Sequence, residues 1–394
     1  MCRRKIIVVS CVLLVCILMI SGCGKAEQSS SEQIVVEDIT NRDKEISEQL
    51  LFQNSMEVSY AQRFAVDYYE DGYLLITIAD KSRFLVVPEK KEAPDDLEND
   101  IVVLKQPINN FYLVATAVMD MFRELDAISS IRFSGQKTDG WYIEEARNAM
   151  EEGNMLYAGK YNMPDYELIL SEGCGLAIEN TMISHSPEVH EKLKEFGIPV
   201  LIDYSSYEDH PLGRVEWIKL YGALLEKEKE ALEAFQLQEE IRNRIAKEER
   251  TEKTVAFFFI TTNGTVNVRK STDYVPQMII LAGGNYIFDN LGSDLDNKSS
   301  VNMTMEEFYA TAKDADYLIY NSTIDGEIKT VEELLGKSEI LQDFKAVKEG
   351  NVWCTTSDLY QQSMSIGYFI EDIYTMLSSD GNKQNSMRYI YLLE

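Results

Sequence analysis

Histidine is nearly absent from this chain and stands only at positions 185, 190 and 210. A site for a bare zinc or manganese ion needs several imidazoles and carboxylates converging on one point, so free metal is disfavoured as a ligand. Cysteine is as sparse once its placing is considered. Cys2, Cys11 and Cys16 fall in an apolar N-terminal run, Cys23 closes that run, and only Cys174 and Cys354 remain. Their wide separation offers neither a disulfide framework nor metal-ligand spacing, and both read as small buried apolar residues. The chain also lacks a Gly-x-Ser-x-Gly elbow, a phosphate-cradling glycine loop, a His-Glu-x-x-His helix, and a Cys/His pair with a reason to meet, so no catalytic residue is assigned. Positive charge is short too: 38 Lys and Arg stand against 66 Asp and Glu, a net charge of −28. Such a field repels nucleic acid, and no nucleic-acid partner is expected.

Glycine and proline are missing together between Gly222 and Gly264, where Ala, Leu, Glu, Lys, Gln and Arg predominate. These residues lose least on becoming helical. The pattern predicts a helix over residues 228–249, supported by a Glu240–Arg244 pair, with a shorter helix over 212–225 before it. The long one would span about 30 Å, enough to bridge two lobes.

The first 23 residues, MCRRKIIVVSCVLLVCILMISGC, carry a basic start, an apolar run and small residues before a cysteine. This is an export signal over residues 1–22. Its ending, Ile20-Ser21-Gly22-Cys23, resembles the lipobox of bacterial lipoproteins, which implies acylation of Cys23 and an extracytoplasmic protein anchored to the cell membrane by lipid. Residues 23–55, polar and rich in Ser, Gln and Glu, read as a tether. Alternating apolar and polar residues over 64–69, 73–78 and 83–87, with turns at Asp71-Gly72 and Asp80-Lys81, place a β hairpin or meander at 56–98.

Short apolar runs then alternate with helical periodicity. Residues 99–225 form a first α/β lobe whose opening strand is read at 101–104 and first helix at 111–125. Residues 226–250 hold the backbone helix. Residues 251–394 form a second lobe, with strands near 254–260, 317–320 and 351–354 and a polar loop over 261–273. The expected fold is α/β: two Rossmann-like lobes with parallel sheets, joined by one long helix. Its ligand cleft would lie between the lobes at the carboxyl ends of the strands.

Four stretches, MPDYELILSEGCGLAIENTMI (163–183), EKLKEFGIPVLIDYSS (191–206), MIILAGGNYIFDN (278–290) and MEEFYATAKDADYLIY (305–320), carry a family pattern in order. They put an acidic residue at a helix start, a Gly-Ile-Pro-Val strand entry, a Gly-Gly-Asn turn, and Asp-Ala-Asp where Asp-Pro-Asp is commoner. Over residues 99–380 the chain resembles the substrate-binding lipoproteins of ABC importers for iron complexes and corrinoids, the periplasmic-binding-protein class with a single helical backbone. The resemblance implies a monomeric receptor, not an enzyme, that takes an iron chelate (siderophore), haem or a cobalamin-like ligand to ABC permease subunits. It implies no cofactor of the protein's own. In that family one glutamate per lobe docks on the permease, and the match falls on Glu167 and Glu306, with Glu307 the alternative.

Ligand-binding candidates in the expected cleft loops are Gln106, Asn109, Tyr112, Trp141, Lys160, Tyr161, Thr181, His185 and Tyr207 from the first lobe. The second lobe offers Asn267, Arg269, Lys270, Tyr274 and Tyr360. Rings stack on flat or macrocyclic ligands, and cations pair with their carboxylates or phenolates. Arg269-Lys270 reads equally as an anion clamp and as an exposed turn. His185 reads as a ligand to iron or cobalt in a macrocycle or as a structural loop residue, and Arg214 as a cleft cation or a helix ion pair. Two further functions stay open at this stage: a secreted lipoprotein hydrolase, and a receptor for a membrane sensor.

Overall fold

Apolar side chains on both faces of short strands build the N-terminal sheet. β1 (Phe52–Ser55), β2 (Phe64–Tyr69), β3 (Leu74–Ile78) and β4 (Arg83–Val87) pair antiparallel in sequence order, and β5 (Ile101–Lys105) joins the edge parallel to β4. Alternation along β3 serves two cores. Leu74, Ile76 and Ile78 belong to the main core, whereas Leu75 packs with Tyr69, Leu85, Val87, Ile46 and Leu50. The computed structural model describes residues 44–292, 299–378 and 387–394. The leader, Cys23 and the tether before residue 44 lie outside the described residues. Two expectations are corrected in this region. The last part of the tether folds, because Ile46 and Leu50 are buried and β1 pairs with β2. The run at 101–104 belongs to the N-terminal sheet and does not open the first lobe.

The first lobe starts instead at β6 (Phe111–Leu113), where a helix was expected. A short apolar run fits a buried strand and a buried helix equally, and here the helix, α1 (Val118–Glu124), begins only after the strand. Then follow β7 (Ile131–Ser134), α2 (Glu144–Glu151), β8 (Leu156–Tyr157), the hairpin β9 (Gly159–Lys160) and β10 (Met163–Pro164), and α3 (Tyr166–Ser171). The lobe ends with β11 (Ala177–Asn180), α4 (Pro187–Glu195) and β12 (Val200–Asp203). Its sheet is parallel throughout in the order β12-β11-β6-β7-β8. The winding reverses between neighbours β6 and β11, which opens a crevice at their carboxyl ends.

Helices α5 (Pro211–Glu216) and α6 (Ile218–Leu224) lead into the rod α7 (Glu228–Ile245), 18 residues and about 27 Å long. The rod buries Ala231, Phe235, Gln238, Ile241 and Ile245. It packs on α6 from one lobe and on α13 (Ile366–Ser378) from the other. Glycine permits both crossings: a Cβ on Gly222 would stand 2.5 Å from the Ala231 Cβ, and one on Gly367 2.8 Å from the Gln238 carbonyl. Arg244 pairs with Glu371 of α13 and so ties rod to lobe, in place of the expected pairing with Glu240.

The second lobe holds β13 (Thr254–Ile260), β14 (Val266–Arg269), α8 (Tyr274–Leu281), β15 (Asn285–Tyr286), β16 (Ser300–Met303), α9 (Met305–Ala312) and β17 (Tyr317–Tyr320). It continues with α10 (Ser322–Asp325), α11 (Val331–Lys337), α12 (Lys345–Glu349), β18 (Val352–Thr355), α13 and β19 (Ile390–Leu392). β15, β13, β17 and β18 are parallel; β14 pairs antiparallel with β13, β16 antiparallel with β14, and β19 antiparallel with β18. The segment expected as a polar loop at 261–273 therefore contains a strand, and Asn267 and Arg269 sit on it. The architecture is the expected α/β one, two lobes with parallel strands around one rod.

Candidate ligand cleft between the lobes

Loops from the carboxyl ends of both sheets meet beside the rod. A cavity there is floored by Ser205, Ser206 and Arg214 of the first lobe and walled by Tyr274, Met278 and Phe369 of the second. The cavity is small, about 50 Å³, and partly open to solvent, with room for a few water molecules and far less than a macrocycle needs. Arg214 sits on α5, the helix opened by His210, whose Nδ1 accepts the Leu212 N–H at 3.1 Å. Its guanidinium lies 3.7 Å from the centre of the Tyr274 ring, and Nη2 donates to the Ser206 carbonyl. Burial pulls its pKa down from the usual arginine range.

Three carboxylates surround this cation without pairing with it, each already engaged. Asp203 accepts from Ser205 Oγ at 2.5 Å and from the Tyr221 hydroxyl at 2.7 Å. Burial raises its pKa, against these hydrogen bonds. Asp273 caps α8 through the Val275 N–H at 3.1 Å. Glu208 accepts from the N–H groups of Gln62 and Arg63 and from Trp217 Nε1, all within 3.0 Å.

The second lobe reaches across beside the cavity. Ser363 Oγ donates to the Ala117 carbonyl at 2.6 Å, and the Met364 N–H donates to Asp120 at 2.7 Å. Gln361 bonds to the backbone of Gly140 and Tyr142. The rings of Tyr142 and Tyr360 meet edge to face across the lobes, centroids 6.2 Å apart, with both side chains exposed. Tyr207, also exposed, stands on the turn after β12.

The candidates divide accordingly. Tyr274 and Tyr360 line the cavity, and Arg214 is its cation. Thr181 and His185 stand on the turn after β11, and Lys160 and Tyr161 on the β9–β10 hairpin, all at carboxyl ends of strands. Gln106 and Asn109 do not reach the cleft. Because the strand before them belongs to the N-terminal sheet, their loop enters β6 from its amino end, where Asn109 lines a separate hollow with Val103, Gly175 and Pro199. Tyr112 is buried within β6 and donates to the Gly159 carbonyl at 2.9 Å. Trp141 is buried with Nε1 on Ser134 Oγ at 3.0 Å, so its neighbour Tyr142 is the ring that faces out. Arg269 lies 3.8 Å from Asp273 and Lys270 is buried, which leaves no open clamp at that pair. Asn267 donates to Asn302 at 2.7 Å on the neighbouring strand.

Glu167 is exposed in the first turn of α3, whose N-terminus Asp165 caps through the Leu168 N–H at 3.0 Å. Glu306 is exposed in the first turn of α9. Glu307 is the capping-box residue there, its carboxylate accepting the Thr304 N–H at 2.8 Å. Among the described residues no cluster of three or more His, Cys, Asp or Glu is placed to hold a metal ion.

The family model described as periplasmic binding protein matches residues 177–359, from β11 across the rod to the loop after β18. A periplasmic binding protein from Veillonella parvula superposes with a TM-score of 0.56 at 18% identity over 73% of this chain and 96% of its own. A periplasmic haem-binding protein of Vibrio cholerae superposes with a TM-score of 0.55 at 16% identity, over 69% of this chain and 99% of its own. This is the fold of the periplasmic binding proteins. The resemblance read from the sequence is thereby borne out, and the matched family and these neighbours are named for binding rather than for catalysis. An uncharacterized lipoprotein of Methanocaldococcus jannaschii is 23% identical over 96% of this chain and 94% of its own. A second lipoprotein of that organism is 24% identical over 91% and 90%. The binding-protein neighbours are thus covered almost whole by about 70% of this chain, whereas the archaeal lipoproteins extend over nearly all of it.

Proposed function

We propose that the chain is an extracytoplasmic solute receptor, anchored to the cell membrane through Cys23, that takes an iron chelate, haem or a corrinoid into the inter-lobe cleft and passes it to an ABC permease. The observation that carries this reading is the cleft itself: two lobes on one rod, with tyrosines from both and a half-buried cation, Arg214, lining the cavity. Rings at the mouth suit a flat or macrocyclic ligand. The lipoprotein relatives and the leader support the lipid anchor, and the haem-binding neighbour supports the ligand class. The small, partly open cavity leaves a macrocycle to rest at the mouth unless the cross-lobe bonds of Gln361 and Ser363 open.

Docking falls to Glu167 on one lobe and Glu306 on the other, exposed carboxylates that steer and register a basic partner. The receptor acts as a monomer. The test is a thermal shift and visible titration of the full chain in non-ionic detergent with haem, cobalamin and a series of ferric siderophores. A ligand at a hundredfold excess over its dissociation constant stabilises by about 2.7 kcal/mol. Failure of every chelate to bind overturns the reading.

A further inference from the structure

We infer that Arg214 is the oxyanion-binding floor of the cleft, and that the ligand is held there by one projecting carboxylate or phosphate group. This deepens the reading of the cleft as the ligand site and rests on it. Arginine offers five N–H donors in a planar fork. Here one of them, at Nη2, meets the Ser206 carbonyl, and Nε is shut off from solvent with no hydrogen-bond partner. Among the described residues no carboxylate forms an ion pair with it, and the three nearest in charge, Asp203, Asp273 and Glu208, are each held by other donors.

The guanidinium is half-buried, and an oxyanion that reaches its remaining donors would complete a hydrogen-bond set that the protein leaves unfilled at Nε. The Tyr274 ring at 3.7 Å holds the guanidinium flat, and such a plane accepts an oxyanion by two parallel N–H bonds. Size decides what can enter. At about 50 Å³ and partly open to solvent, the cavity takes the few heavy atoms of a carboxylate or phosphate and is too small for a macrocycle. The body of the ligand therefore stays at the mouth, against Tyr360 and the Tyr142 ring beside it, and only its anionic arm passes to the floor. The cleft should select ligands by charge on that arm rather than by the identity of the metal.

The test compares the full chain with Arg214→Met in non-ionic detergent at low salt, using citrate and inorganic phosphate as probes of the two oxyanion classes. We expect one or both anions to raise the wild-type melting midpoint, with apparent affinity at least tenfold weaker in the variant. Citrate alone would assign a carboxylate arm and phosphate alone a phosphate arm. An equal response in the variant, or no response to either anion, overturns the inference. Should Arg214→Met fail to fold, Arg214→Lys carries the test, since it keeps the charge but loses the fork. A measurably weaker response supports the inference and an unchanged one overturns it. The receptor reading fails separately: an Arg214-dependent anion response with no chelate bound removes the receptor and leaves the floor. A chelate bound equally by wild type and variant does the reverse.

Discussion

Gln361 of the second lobe holds Tyr142 of the first, its Oε1 accepting the Tyr142 N–H at 2.8 Å, while its Nε2 donates to the Gly140 carbonyl at 2.7 Å. One amide thus pairs with the main chain of the opposite lobe as a strand would, and it is fully buried. Replacing it with alanine takes the partner from a part-buried N–H and a part-buried carbonyl, at about 1 kcal/mol for each. Gln361→Ala should lower the melting midpoint of the free protein and widen its small-angle scattering profile. A variant that melts lower but keeps the wild-type profile would show that these bonds stabilise the lobes without setting their separation.

Glu179 predicts a pH dependence. It lies on β11, fully buried, and neither carboxylate oxygen has a hydrogen-bond partner. Burial alone pushes its pKa up to about 8 from an ordinary value of 4.5. The folded chain therefore holds a proton that the unfolded chain releases. The stabilisation is complete below about pH 4.5 and is lost as pH rises towards 8. Asp120 and Asp372, raised to about 6 by burial, act in the same direction over a lower window. Glu179→Gln keeps the neutral shape and cannot ionise, so the stability difference between variant and wild type should grow in the variant's favour from pH 5 to pH 8. Urea melts at pH 5, 7 and 8.5 check this; a constant difference would mean that Glu179 is not the group that ionises.

The two lobes and the rod were legible because their signals are local: a run without glycine or proline, and short apolar stretches alternating with helical periodicity. What was not legible is which strand pairs with which. Residues 101–104 and 111–113 are both short apolar runs, and only long-range pairing puts the first in the N-terminal sheet and the second at the centre of a lobe. That exchange carried Gln106 and Asn109 to the wrong end of the sheet. Trp141 and Tyr142 are adjacent rings that differ only in which side of the chain meets solvent, and Tyr112 alternates inward on a strand read as a helix. Arg214 was visible as a cation at a helix entry; the turn of α5 that lays it on Tyr274 was not. Nothing in the sequence marks Gln361 as a cross-lobe residue.

Glu216 fastens the N-terminal sheet to the helix that carries Arg214. Its buried carboxylate accepts the N–H groups of Ser59, Tyr60 and Ala61 at 2.7–2.9 Å and is paired with Lys219 at 2.7 Å. Glu216→Ala removes the acceptor from three backbone donors and one partner from the half-buried Lys219, a loss of about 3 kcal/mol. Hydrogen exchange should quicken first at residues 59–63 and in β2, with the second lobe unaffected. Uniform acceleration over the whole chain would show that the sheet and the lobes unfold as one unit.

Glu306 and Glu307 are neighbours on one helix turn with different duties, and that difference separates docking from stability. The Glu307 carboxylate closes the capping box on Thr304, so Glu307→Ala should cost about 1 kcal/mol of stability through the lost cap. Glu306 is exposed, and an exposed charge contributes little to folding. If Glu306 meets a basic permease surface, Glu306→Lys should leave both melting midpoint and ligand affinity unchanged while reducing uptake in cells by tenfold or more. Glu167→Lys on the other lobe should do the same. The decisive comparison is uptake by Glu306→Lys against uptake by Glu307→Ala at equal protein level. A defect confined to the Glu307 variant would move the contact by one residue and make the cap part of the docking surface.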